Sequence, residues 1–189
     1  MKKLMMVLAG ALMWGATANA QTDIILRGGF ATNQFVGDKI YDNADMNPGY
    51  NVGLEFNNYI KNGLYWNSGL LFGSRGYKVD YKIGNDFKYR AHNLQIPLTI
   101  GYKYDLGSGI ALDGRIGGFF GVDIAGKYDE LKIADVNDYR RCDGGLIIGV
   151  GLWYQNINLD FAYQRGFVNP NENIDGGASN FLIRLGYAF

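Results

Sequence analysis

The chain has 189 residues, among them 28 Gly, three Pro and one Cys, with aromatics at 15%. Eighteen Lys and Arg balance eighteen Asp and Glu, so no basic surplus marks a nucleic-acid partner. The single Cys142 excludes an intrachain disulfide framework, and the length suits one domain rich in strands and tight turns.

Met1-Lys2-Lys3, an apolar stretch from Leu4 to about Ala16, and Ala18-Asn19-Ala20 have the order of a secretory signal peptide. The apolar core is shorter than the roughly 20 residues a membrane-spanning helix needs. The sequence therefore predicts an exported protein, with residues 1–20 removed between Ala20 and Gln21 and residues 21–189 forming one domain. Without Lys2 and Lys3 the balance is 16 cations to 18 anions, a formal charge of −2. No Cys follows the cleavage position, so lipoprotein anchoring is not expected.

Beyond Gln21 the pattern is alternation with a period of two, the mark of strands with two different faces. Ile24, Leu26, Gly28 and Phe30 alternate with Ile25, Arg27, Gly29 and Ala31. Next come Tyr50, Val52, Leu54 and Phe56, opposite Asn51, Gly53 and Glu55. Leu64, Trp66, Ser68, Leu70 and Phe72 oppose Tyr65, Asn67, Gly69, Leu71 and Gly73. The cleanest run sets Leu94, Ile96, Leu98, Ile100, Tyr102 and Tyr104 against Asn93, Gln95, Pro97, Thr99, Gly101 and Lys103. A fifth run sets Ile110, Leu112, Ile116, Phe120 and Val122 against Asp113, Arg115, Gly121 and Asp123. Three more start at Leu146, Ile157 and Phe181, the last ending on Phe189. Eight strands satisfy the even number that a closed antiparallel bacterial barrel requires.

The connections have two lengths. Asn58–Asn62, Asp105–Gly109 and Gln155-Asn156 are short turns, whereas about Thr32–Pro48, Lys78–Ala91, Ala125–Arg141 and Arg165–Ser179 are long. Outer-membrane barrels have this asymmetry, with the long loops outside and both termini in the periplasm. The expected fold is all-β: an eight-stranded antiparallel up-and-down transmembrane barrel.

A soluble lipocalin-like barrel uses the same alternation but turns its apolar face inward. Three features favour the membrane arrangement. The polar parity mixes glycines with Arg27, Glu55, Arg75, Lys103, Asp113, Arg115, Asp123, Asp143, Asp160 and Arg184. Inside a barrel of this size such charges must pair to offset desolvation. The apolar parity carries aromatics in two bands, Phe56, Trp66, Tyr102, Tyr104, Tyr154, Tyr187 and Phe189 at one end and Phe30, Tyr50, Phe72, Phe120, Tyr163 and Phe181 at the other. Leu, Ile and Val lie between them, as the two interfaces of a bilayer favour. Finally, Leu185-Gly186-Tyr187-Ala188-Phe189 resembles a C-terminal strand read by the outer-membrane assembly machinery, with Tyr187 and Phe189 as its signal. The expected location is the cell outer membrane, reached through the periplasm.

Several stretches resemble the small outer-membrane β-barrel family of Bacteroidetes-type bacteria, the PorT-like or porin family. They are Pro48-Gly49-Tyr50-Asn51-Val52-Gly53, Leu70 to Gly76, Asn93-Leu94-Gln95-Ile96-Pro97-Leu98, and Asp143-Gly144-Gly145 with Gly149-Val150-Gly151. The architecture is also similar to OmpX-type barrels. The resemblance implies fold and location far more than activity. Pro97 lacks a ladder N–H and has no edge to sit on, so a bulge or a missing ladder bond is expected there.

Catalytic and metal signals are weak. The glycine clusters at Gly117–Gly121 and Gly144–Gly151 lack a following Gly-Lys-Ser/Thr and a βαβ context. One His and one Cys cannot make a zinc site, and the loop acids Asp129, Glu130, Asp135 and Asp138 read as solvated surface. No catalytic residue, metal or cofactor is expected, and the chain is read as a non-enzyme. His92 has a suitable height for a lipid A-modifying enzyme but no obvious Ser partner. The expected role is structural or surface-interacting; a narrow solute channel and a secretion or adhesion component are the alternatives. Expected partners are outer-membrane lipids and lipopolysaccharide, the assembly machinery during biogenesis, and an envelope or extracellular protein.

Overall fold

Alternating side chains cannot settle on a helix, whose repeat is 3.6 residues, but they fit a sheet with one wet and one dry face. The computed structural model describes residues 21–37, 44–45, 47–79, 87–128, 131–132, 141–168 and 176–189. Eight long strands make the wall: β1 Thr22–Gly37, β2 Asn47–Lys61, β3 Leu64–Val79, β4 Phe87–Gly107, β5 Ile110–Tyr128, β6 Cys142–Tyr154, β7 Ile157–Gly166 and β8 Gly176–Ala188. Each pairs antiparallel with its neighbours, and β1 pairs with β8 from Ile25–Ala188 to Gly37–Gly176, which closes the barrel. Two-residue strands at Ala44–Asp45 and Leu131–Lys132 extend the sheet above β3 and β5. The proposed signal segment, residues 1–20, lies outside the described residues.

The turns at one end are tight because their residues accept the left-handed backbone. Asn62 and Gly63 both have positive φ, at 49° and 84°, the pattern that lets a two-residue turn match strand twist. Ser108 and Gly109 repeat it at 54° and 77°. At the other end the strands rise further than the sequence boundaries suggest. β4 has 21 residues and β5 has 19, against roughly 9–11 needed to cross a bilayer. Much of what reads as long loop between Lys78 and Ala91 or beyond Ala125 is thus a twisted ribbon standing on the wall. Polar sequence there carries no period-two apolar signal, and that hides the strands.

Pro97 interrupts pairing without shifting it. β3 and β4 pair from Leu64–Tyr102 to Ser68–Leu98 and resume in the same register at Leu71–Gln95. The two positions at Gly69–Pro97 and Leu70–Ile96 are skipped. Between β4 and β5 the register shifts instead at two places, next to the turn between Asp105 and Gly107, and at His92 and Asn93, which pair with Ala125 and Asp123 and leave Ile124 as the extra residue of a bulge.

Side-chain burial inverts the arrangement of a soluble protein. Ile100, Ile116, Val150 and Leu185 are all more than half exposed, whereas Arg27, Glu55, Asp160 and Arg184 are buried. An apolar belt this continuous marks a surface that meets lipid or another apolar phase.

Candidate functional site

The lumen is built from the odd-numbered residues of β1–β6 and the even-numbered ones of β7 and β8. Buried side chains there form a connected chain of charges. Arg27 on β1 pairs with Glu55 on β2, and its Nε donates to Asn158 Oδ1 on β7 at 3.1 Å. Arg184 on β8 donates to Glu55 Oε1 at 3.1 Å and to Asn51 Oδ1 at 3.0 Å. It also grips Asp160 Oδ2 through Nε at 2.8 Å and Nη2 at 2.6 Å. Arg115 completes the row, bonded to Asp160 and lying 3.5 Å from Asp113. Three guanidinium groups and three carboxylates thus compensate one another. Glu55 also accepts from Asn67, at 3.1 Å.

A second cluster lies nearer the long-loop end. Arg75 on β3 donates to Asp123 at 2.7 and 3.2 Å and also pairs with Asp143. Between the clusters, Gln164 donates to Gln95 at 3.2 Å and accepts from Asn180 at 3.5 Å, above Leu71, Ile147 and Leu182, which are fully buried. Nine of the ten charges singled out in the sequence stand in the lumen, and each has an oppositely charged neighbour there. Lys103, on the same parity, does not join them. It sits at the short-turn mouth with its Nζ 3.9 Å from the Trp153 ring centre and 3.7 Å from Asp23.

Glycines make this filling feasible. Gly53 and Gly186 flank Arg27 in the register, Gly29 lies beside Arg184, and Gly151 separates Asp160 from Asp113. A Cβ at Gly149 would come within 2.9 Å of the Arg115 guanidinium. At Gly101 it would fall on the Tyr65 ring.

The short-turn mouth opens into a cavity of about 720 Å³. Its floor is Trp153, which is buried and donates from Nε1 to Asp113 Oδ2 at 2.7 Å. The Tyr59 hydroxyl donates to Asp23 at 2.8 Å on the cavity wall. The indole and the charged row lie between this mouth and the long-loop side. Sequence reasoning did not single out Trp153, Asn51, Asn67 or Asn158; their place on the polar parity was the available signal.

On the outside, Tyr50, Phe72 and His92 form a cluster. The Tyr50 hydroxyl lies 3.0 Å from His92 Nδ1, and the Phe72 and His92 rings stack at 6.2 Å. Ser74 is the register partner of His92, yet its hydroxyl accepts from the Tyr50 N–H at 3.1 Å. Cys142 is exposed. Among the described residues, no group of three or more His, Cys, Asp or Glu is gathered as for a metal. Asp129, Glu130, Asp135 and Asp138 lie outside them. Tyr187 and Phe189 are exposed on the lipid-facing side, and their rings meet edge-on at 5.0 Å.

The model of the family described as outer membrane protein beta-barrel domain matches residues 19–170. The chain belongs to that family. An outer-membrane barrel domain accounts for the inverted burial: the exposed belt meets lipid and the charges face inward. Among solved structures, neisserial surface protein A is similar over 89% of this chain and 99% of its own, at 12% identity and a TM-score of 0.56. Ail of Yersinia pestis, the attachment invasion locus protein, solved with the heparin analogue sucrose octasulfate, is similar over 89% and 99%, at 15% and 0.53. OprG of Pseudomonas aeruginosa is similar over 90% and 97%, at 15% and 0.53. These likenesses concern the fold. No curated protein matches the sequence. This outer-membrane barrel domain resides in the cell outer membrane with its wall in contact with lipid.

Proposed function

We infer that the protein is a sealed, non-enzymatic membrane scaffold that makes its specific contacts through the outward-facing long loops, in a structural or surface-interaction role. The observation that supports this is the unbroken row from Arg27 through Glu55, Arg184, Asp160 and Arg115 to Asp113. It crosses the barrel from β1 to β5 and leaves general diffusion no aqueous route. Eight strands enclose a space that side chains fill, whereas open porins use sixteen to eighteen. Within the family, the Pro48–Gly53 and Asn93–Leu98 stretches favour the PorT-like branch. The leader ends at Ala20, and Tyr187 and Phe189 act in delivery to the assembly machinery. The test is purified protein in a planar bilayer at moderate salt, with crosslinking on intact cells. The expected outcome is no stable conductance and a reproducible partner that is lost when the long loops are shortened. Steady, large conductance steps would replace this reading with the channel.

A further inference from the structure

Lys103 and Asp23 stand side by side in the wall of the short-turn cavity, and neither is fully engaged. Their side chains are only 23% and 19% exposed, yet Lys103 Nζ lies 3.7 Å from Asp23 Oδ2. A charge-assisted hydrogen bond is about 2.7–2.9 Å long. The ammonium rests instead on the Trp153 indole, 3.9 Å from its centre, an attraction to the ring face rather than a hydrogen bond. Among the described residues, its N–H groups reach no acceptor within hydrogen-bond distance. Asp23 Oδ2 accepts from the Tyr59 hydroxyl at 2.8 Å, which leaves most of the carboxylate's capacity as an acceptor unused.

The frame around the pair is fixed. Trp153 is buried and bonded to Asp113, and the backbone N–H groups of Lys103 and Tyr59 donate to Gly63 at 2.8 Å and Gln21 at 3.0 Å. Such preorganisation lowers the cost of binding a small molecule. We propose that Lys103 and Asp23 bind a free α-amino acid, with its carboxylate on Lys103 and its ammonium on Asp23. An α-amino acid carries both charges on one carbon, so they match a cation and an anion 3.7 Å apart. A polyanion would meet Asp23 and Asp105 in the same wall, and a simple amine would compete with Lys103 for the indole and for Asp23. The cavity, about 720 Å³, has room for a side chain beyond the two charges. With the short turns in the periplasm, the ligand is drawn from that side. The site lies at the opposite end of the barrel from the long loops and so goes beyond the surface role proposed above.

The experiment is saturation-transfer NMR on the full mature chain in deuterated detergent, with L-alanine as the probe. Its methyl signal is expected to saturate with concentration. Propionate and ethylamine, which carry one charge each, fail to displace it, as does 4-aminobutyrate, whose charges stand too far apart. Lys103→Gln and Asp23→Asn each lose about tenfold or more in apparent affinity, the scale of a hydrogen bond to a charged group. Both variants keep the folded band on an unboiled detergent gel, which separates lost binding from lost folding. No saturable signal from the unmodified chain overturns the proposal. So does displacement by propionate or ethylamine alone, which would make this a simple anion or cation site, and so does undiminished affinity in the two folded variants.

Discussion

Arg115 on β5 bonds Asp160 on β7 by passing over β6, where the inner wall is bare at Gly149 and Gly151. The pair is buried at both ends, so truncating one side strands a charge in a medium that solvates it poorly. Breaking such a pair costs about 3–5 kcal/mol. Asp160 keeps two bonds from Arg184, which places Arg115→Ala near the lower bound. The expected result is a clear fall in the temperature at which the folded band converts on an unboiled detergent gel. Lys61→Ala, at an exposed position, stays within about 0.5 kcal/mol of the parent in urea unfolding.

The glycines give a second, sharper contrast. A Cβ on Gly53 would meet the Leu70 carbonyl and come within 2.8 Å of Leu71 Cα, while one on Gly114 would meet nothing within 4 Å. Backbone cannot step aside as a flexible side chain can. Gly53→Ala is expected to cost about 1–3 kcal/mol, the range for overpacking. Gly114→Ala should leave the conversion temperature unchanged. Equal effects would mean that wall curvature does not limit the lumen.

Two tryptophans of the described chain stand on opposite faces: Trp66 shares the lipid-facing parity, and Trp153 is buried in the lumen. In vesicles containing brominated lipid, a Trp153→Phe chain, which reports Trp66, should lose most of its emission. A Trp66→Phe chain, reporting Trp153, should keep it. The reverse result would turn the barrel inside out.

Epitope tags test orientation. Insertions at Lys61 or Ser108, beside the tight turns, are expected to be unreadable on intact cells and readable once the outer membrane is opened. Tags within the long connections, around Asp38–Asn47 or Asn169–Gly177, should be readable without opening. Antibody binding with the pattern exchanged would place the long connections in the periplasm.

The wall was legible in the sequence because period-two alternation survives any register: Leu98 and Ile100 face lipid whichever residues they pair with. Contacts that depend on register were not. Arg115 and Asp160 are 45 residues apart, and only the staggering of β5, β6 and β7 brings them together. Lys103 shares the parity of the lumen charges, but its height puts it at the mouth over Trp153, and parity does not carry height. The Tyr50–His92 contact needs the relative stagger of β2, β3 and β4. Pro97 announced a weakness correctly in kind, yet which neighbour loses its pairing depends on which way the missing N–H would have pointed.

The seam where the barrel closes is clasped from both sides. Arg184 of β8 reaches over β1 at Gly29 to Glu55 of β2, and Arg27 of β1 reaches over β8 at Gly186 to Asn158 of β7. Until the first and last strands zip together, these groups line an open, hydrated slot. Zipping brings the partners together and expels the water in one event. Reopening must part these charged groups together with the β1–β8 pairing, so the seam is expected to open slowly.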